Sequence, residues 1–329
     1  MDLSPSVVKE TTGNISDNGR RSLSGYLTVT LRGMVMGAAD VIPGVSGGTI
    51  AFITGIYEEL IRSLRSLTSN GVRLLLKGDL SSFIKVCNIR FLIALFAGIA
   101  ISVFSLAKLV TWLLETWPLP LWGFFFGLIL CSSWLVLRSA GKIRGVAMPI
   151  AFIAGVAVSL FITSLAPASS PQTLWFVAIS GSVSICAMIL PGISGAFILI
   201  LIGNYLFLMQ AVSELNVVVI ITFMAGAATG LVLFSNLLGW LLNRFRSITI
   251  ALLSGFMLGS LRMVWPWRVT AIYRTSESGE QVPYIQQEVL PSLYGEITGN
   301  DPQLAIVIAA LFAGLLIPLI VEITASSKR

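Results

Sequence analysis

Two short runs interrupt otherwise apolar stretches of the chain and carry residue types able to bind an anion. They are Pro43-Gly44-Val45-Ser46-Gly47-Gly48-Thr49 and Pro191-Gly192-Ile193-Ser194-Gly195. Pro43 and Pro191 remove a backbone donor, and Gly44 and Gly192 free the backbone, so a helix is predicted to stop at each run. Ser46 and Ser194 then stand where an N-cap belongs, ahead of new helices starting near Gly47 and Gly195. The first turn of a helix carries unpaired N–H groups and partial positive charge. Two such ends facing each other suit phosphate or a similar anion, with Ser46, Gly47, Gly48, Thr49, Ser194 and Gly195 supplying donors. The plainer reading is helices kinked by Pro and Gly for packing; two matched runs weigh against it.

Charged residues inside apolar segments are functional candidates by default. Asp40 stands just before the first run, and Met188 takes its place before the second, so a tip does not need the acid in order to fold. Asp40 can carry a coupling proton, bind sodium, or serve as a cap or ion-pair partner. Arg262 lies late in an apolar segment, where it either reaches a phosphate group or snorkels to the interface. The chain has no histidine, which excludes His-based catalysis and His-ligated metal. Its three cysteines are scattered and show no metal-binding spacing. No nucleotide-binding motif is present, and no cofactor, metal site or catalytic residue is expected.

The elements that must position these residues are membrane helices. Of 329 residues, 56% are hydrophobic and 11% charged, against about a quarter charged in soluble proteins. The net charge of +6 sits in short loops, which argues for membrane topology and against nucleic-acid binding. Spans of about 20 apolar residues are predicted at Phe91–Leu114, Leu121–Leu137, Val146–Leu165, Val217–Leu242, Ile248–Trp265 and Leu304–Ile323. The interrupted stretches, 26–61 and 174–212, are each long enough for a hairpin of two helices. Laying the first on the second superposes Gly33, Ala39, Pro43, Gly44, Ser46, Gly47, Gly55 and Tyr57 on Gly181, Ala187, Pro191, Gly192, Ser194, Gly195, Gly203 and Tyr205. The chain thus reads as a polar, disordered tail (1–22) and two repeats, 23–166 and 167–325, each a re-entrant helical hairpin plus three transmembrane helices. Segment 71–86 is amphipathic and basic, suited to an anionic lipid surface. Segment 267–302 reads as a long loop outside the membrane.

If each interrupted stretch enters and leaves on one side, Arg20, Arg21, Arg32, Arg62, Arg65, Arg73, Lys77, Lys85, Arg90, Arg138, Lys142, Arg144, Arg244, Arg246, Lys328 and Arg329 share a face. Glu115, Glu214 and an acidic loop with Glu277, Glu280, Glu288, Glu296 and Asp301 fall on the other, although that loop also keeps Arg268 and Arg274. The basic face is then cytoplasmic, and so are both termini. Each half crosses an odd number of times, which makes the repeats inverted, with their tips approaching inside the bilayer. Transporters recurrently place their substrate at such a repeat interface. On physical grounds an inorganic anion channel or exchanger uses paired helix ends equally well.

The run from Gly37 to Thr49, followed by Gly55-Ile56-Tyr57-Glu58, resembles the signature of a bacterial membrane family associated with undecaprenyl-phosphate translocation. Leu190-Pro191-Gly192-Ile193-Ser194-Gly195, Gly259-Ser260-Leu261 and Trp265-Pro266-Trp267 fit as well, and the resemblance extends from about Ser24 to Ile323. It implies a flippase in the bacterial cytoplasmic membrane. Such a protein returns the C55 carrier phosphate from the outer to the cytoplasmic leaflet for cell-wall and surface-glycan synthesis. The expected partners are the polyprenyl-phosphate lipid and the surrounding membrane lipids. An ion gradient would drive the cycle, with Asp40 the first residue to suspect.

Overall fold

The computed structural model describes residues 21–40, 45–67, 71–105, 107–141, 145–168, 170–275 and 281–326. Residues 1–20 of the expected tail, and the helix-breaking Pro43 and Gly44, lie outside the described residues. The first half runs through α1 (Leu23–Asp40), α2 (Gly47–Ile53), α3 (Tyr57–Ser66), α4 (Val72–Leu76), α5 (Leu80–Val86), α6 (Ile89–Ser105), α7 (Ala107–Thr116), α8 (Pro118–Ser139) and α9 (Ala147–Ser164). The second runs through α10 (Leu174–Ile189), α11 (Gly195–Leu201), α12 (Tyr205–Ser213), α13 (Val217–Arg244) and α14 (Arg246–Gly259). A 3-10 turn (Ser260–Val264), strands β1 (Arg268–Thr275) and β2 (Gln281–Glu288), α15 (Pro291–Thr298) and α16 (Leu304–Ser326) complete it.

The body is an all-α, multi-pass membrane protein. By length and composition α8, α9, α13 and α14 with its 3-10 turn can each cross a membrane, and the count rises to six if bent helix pairs are counted as spans. The predicted span Phe91–Leu114 is divided between α6 and α7, on either side of residue 106. The predicted loop 267–302 carries more order than expected: β1 and β2 pair antiparallel, and α15 follows. Segment 71–86 forms α4 and α5, with Leu75, Leu76 and Leu80 exposed.

Glycines set the packing. α1 packs on α6, α10 on α13, α8 on α16 and α9 on α14. A methyl group on Gly98 would lie 2.0 Å from the Thr30 carbonyl oxygen in α1. One on Gly226 would lie 1.9 Å from that of Ala178 in α10. Gly127 meets Leu311 and Gly314 meets Phe124 in the same way, as do Gly155 with Leu252 and Gly255 with Phe152. Small residues let apolar helices approach until backbones touch, which replaces the hydrophobic force that lipid does not supply. The pairings survive exchange of the halves, because the last long helix of each half (α9, α16) packs on the middle one of the other (α14, α8). The two middle helices meet as well. Ser133 donates to the Ser254 carbonyl at 2.9 Å, and Ser254 donates back to that of Ser133 at 2.6 Å.

The interrupted stretches hold three helices each, not two. The additional break falls at Gly55 (φ +72°) and Gly203 (φ +74°), a left-handed conformation that favours glycine. α11 and α12 meet there at 109°. A seven-residue α2 or α11 is only about 10 Å long. The chain therefore turns again before it could retrace the depth it entered.

Candidate functional site

The two tips touch, and backbone groups make much of the contact. Ser46 caps α2 from an extended conformation (φ −116°, ψ 129°) and accepts from the Gly48 N–H at 3.2 Å. The same hydroxyl donates to the Leu190 carbonyl of the other half at 3.3 Å. Thr49, fully buried, accepts from the Gly192 N–H at 2.9 Å. Tyr57, at the start of α3, donates its buried hydroxyl to the Ile189 carbonyl at 3.1 Å. These carbonyls are available because α10 ends at Ile189 and Leu190 turns extended. Gly48 is tight for the same reason: a methyl group there would sit 3.0 Å from the Ile189 oxygen.

The tips differ in what holds their N–H groups. At the first, Gly47 donates to Asp40 Oδ1 at 2.7 Å, Gly48 to Ser46 Oγ, and Thr49 to the Ser46 carbonyl at 2.9 Å. The Asp40 carboxylate lies directly against Gly47, within 2.5 Å of where a side chain would begin. At the second tip Met188 replaces the acid and packs beside Gly195. Ser194 is buried and extended (φ −87°, ψ 133°), yet its hydroxyl makes no capping bond. The N–H groups of Gly195 and Ala196 make no hydrogen bond among the described residues. Ser184 binds the Gly195 carbonyl at 3.0 Å and leaves that N–H free. The first tip is thus capped by its own carboxylate, and the second presents open donors.

Gly192 (φ +93°) tucks the second tip onto α14: a methyl group there would lie 2.9 Å from the Met257 Cα and 3.0 Å from the Ser260 hydroxyl. Arg262 follows two residues on in the 3-10 turn. It is held in a fork with Glu288, Nε to Oε1 at 2.9 Å and Nη2 to Oε2 at 3.1 Å. The structure therefore brings together Asp40, Ser46, Gly47, Gly48, Thr49, Pro191 and Gly192, with Ser194 and Gly195 following in the second tip. Arg262 stands apart, tied through Glu288 to the β1–β2 ribbon.

The sequence profile of the undecaprenyl phosphate translocase-like family matches residues 36–282. The chain belongs to this family. A polyprenyl-phosphate transporter of Vibrio cholerae is 43% identical over 297 residues, covering 90% of this chain and 96% of the relative. A polyprenyl-phosphate transporter of Staphylococcus aureus is 31% identical over 261 residues, covering 74% and 87%. No solved structure matches. The family and these relatives are translocases and transporters by name, not enzymes.

In this translocase-like chain the sequence motifs named Ser46, Thr49 and Gly192 at the tips, but not the bonds by which these residues join the halves. The match of Tyr57 with Tyr205 was legible, whereas the bond from Tyr57 to a carbonyl of the other half was not. Three ion pairs brace the surroundings. Glu59 receives Arg21 at 2.5 Å and Asn88 at 2.8 Å, tying the residues just before α1 and just before α6 to α3. Glu58 receives Arg246 at 2.7 Å, joining α3 to the start of α14. The Arg262–Glu288 fork marks the far end of that helix.

Proposed function

We propose that the protein moves a polyprenyl phosphate, the C55 carrier in particular, from the outer to the cytoplasmic leaflet. Its halves act as inverted repeats, and the phosphate is held where their re-entrant tips meet. One observation carries the reading: two short helices that begin at Gly47 and Gly195, in halves of matching design, are hydrogen-bonded tip to tip at the core of an apolar protein. Backbone that is not helical is tolerated at membrane depth only where protein buries it or a polar path needs it. Lipid phosphate needs such a path for its headgroup, while its tail remains in the bilayer.

The donors of the second tip, with Ser194 and Gly195, receive the phosphate first in this scheme. Ser46, Gly47, Gly48 and Thr49 join once Asp40 has withdrawn from Gly47. Two anions cannot share one N–H group, so protonating Asp40, or drawing it onto a cation, favours phosphate at the first tip. That exchange would couple transport to an ion gradient. The test is protein reconstituted in liposomes with polyprenyl phosphate in one leaflet, whose removal from that leaflet is followed over time. Changing Ser46 and Ser194 together to Ala should abolish transport in protein that still folds, at a stability cost of about 0.5–2 kcal/mol for the lost Ser46 cap. Asp40→Asn should abolish its dependence on the gradient. Full, gradient-coupled transport by both variants refutes the tip site. Transport of chloride but of no lipid phosphate moves the assignment to an inorganic anion channel or exchanger.

A further inference from the structure

Arg262, Glu288 and Arg268 form a second polar cluster, at the base of the ribbon. Arg268 and Glu288 are register partners there. Both Glu288 oxygens are engaged by Arg262, at 2.9 and 3.1 Å. Arg268 makes no ion pair of its own among the described residues. Its guanidinium lies over the Trp122 ring, 4.6 Å from the centroid. Two guanidiniums therefore share one carboxylate, and the cluster keeps a net positive charge. Burial pushes Arg268 below the ordinary arginine range, to about 10, against the opposing influence of Glu288. The protein keeps this charge partly out of water without neutralising it.

The ribbon does not need that charge to stay in place. Val289 N–H donates to the Trp267 carbonyl at 3.0 Å, Trp265 Nε1 to the Val289 carbonyl at 2.9 Å, and Trp267 Nε1 to the Pro302 carbonyl at 2.9 Å. The position of the cluster is informative too. Arg246–Val264 is 19 residues, about 30 Å of helix and 3-10 turn, close to the thickness of a bilayer core. Arg246 pairs with Glu58 near one end and Arg262 with Glu288 near the other. The Arg262 cluster thus stands at a membrane border, among Trp122, Trp265 and Trp267, where tryptophan belongs. A lipid headgroup lies at that depth. Ser260, which touches the second tip at Gly192, is about 4 Å along the turn from Arg262.

We propose that Arg262 and Arg268 form a loading site for a phosphate monoester, with Glu288 occupying the Arg262 fork until phosphate displaces it. The guanidinium fork matches phosphate oxygens as it matches carboxylate oxygens, and two forks suit a dianion. The headgroup then passes to the open donors beyond Gly192. The site rests on the function proposed above and adds a separate waiting position to it.

The test titrates purified full-length protein in detergent with a C55 polyprenyl monophosphate, the matching polyprenol and inorganic phosphate, following the melting temperature. The monophosphate should stabilise the wild type and the polyprenol should not. Arg268→Gln and Arg262→Gln should each weaken the apparent affinity about tenfold or more, whereas Glu288→Gln should leave it equal or tighter. The paired Ser46 and Ser194 to Ala variant should still bind here. Arginine-dependent stabilisation by inorganic phosphate as well would support the site and show that the headgroup alone is read. If Arg268→Gln lowers the unliganded melting temperature but keeps the full ligand-induced shift, Arg268 is structural and the proposal fails, with the tip site untouched. If the wild type responds to neither phosphate probe, both readings fail together.

Discussion

Thr49→Val is the sharpest test of the joined tips. Valine keeps the β-branched shape of this fully buried residue and replaces only the hydroxyl with a methyl group. That hydroxyl accepts from the Gly192 N–H at 2.9 Å, across the boundary between the halves. Gly192 cannot turn to another acceptor freely, because its positive φ and its fit against Met257 and Ser260 fix its place. An orphaned buried donor costs about 1–3 kcal/mol. Polar contacts between helices in membranes average about 0.6 kcal/mol, with a maximum near 1.7. A loss of about 1–2 kcal/mol is therefore expected, read as equilibrium unfolding in mixed micelles titrated with a denaturing detergent. Thr49→Ser, which retains the oxygen, should lose clearly less. Tyr57→Phe weakens the same junction through Ile189, so its loss should not simply add to that of Thr49→Val. Equal stability of Thr49→Val and Thr49→Ser would refute the hydrogen bond as a link between the tips.

Gly226→Val places a side chain where a methyl group already meets the Ala178 carbonyl at 1.9 Å, and should cost at least about 1–3 kcal/mol in the same unfolding assay; a neutral result would mean that α10 and α13 do not cross there. Arg268 provides a pH test. Its folded value of about 10 lies below that of a free arginine, so the folded state binds fewer protons than the unfolded one above about pH 10. The cost of burying the charge is present in full below about pH 10 and is relieved as pH rises above 10. Stability measured across that window should therefore rise more in the wild type than in Arg268→Met, and coincident slopes would show that Arg268 is solvated like a free side chain.

The sequence made the tips legible because Pro, Gly and Ser are out of place in a long apolar run. The breaks at Gly55 and Gly203 were harder to see. The chain has 30 glycines, and most of those that matter here serve close approach rather than a left-handed turn. Sequence marks a glycine as small without naming the helix it will meet. Gly127 facing Leu311 and Gly155 facing Leu252 are facts about packing between halves. The tip contacts were invisible for a related reason. Their acceptors at Ile189 and Leu190 are main-chain carbonyls, which every residue carries and only a helix end sets free. The ribbon was read as loop because its acidic residues dominated the reading. Its strand register is what sets Arg268 opposite Glu288.

The difference between the tips says more about mechanism than their likeness does. Two matched frames would present matched donors if nothing else intervened. Asp40 intervenes at one and Met188 at the other, at corresponding places in their helices. The carboxylate fills its own tip, and the opposite tip keeps two N–H groups without a partner among the described residues. Under the proposed function, a phosphate arriving at the junction would meet one half of a site open and the other half closed by an acid that a proton, a cation or the phosphate itself would have to move. Capping alone does not require a group of this kind: the second tip folds without an acid, and at the first the Ser46 hydroxyl already caps Gly48. The acid adds a replaceable negative charge, and that is the property a coupled carrier of anions would use.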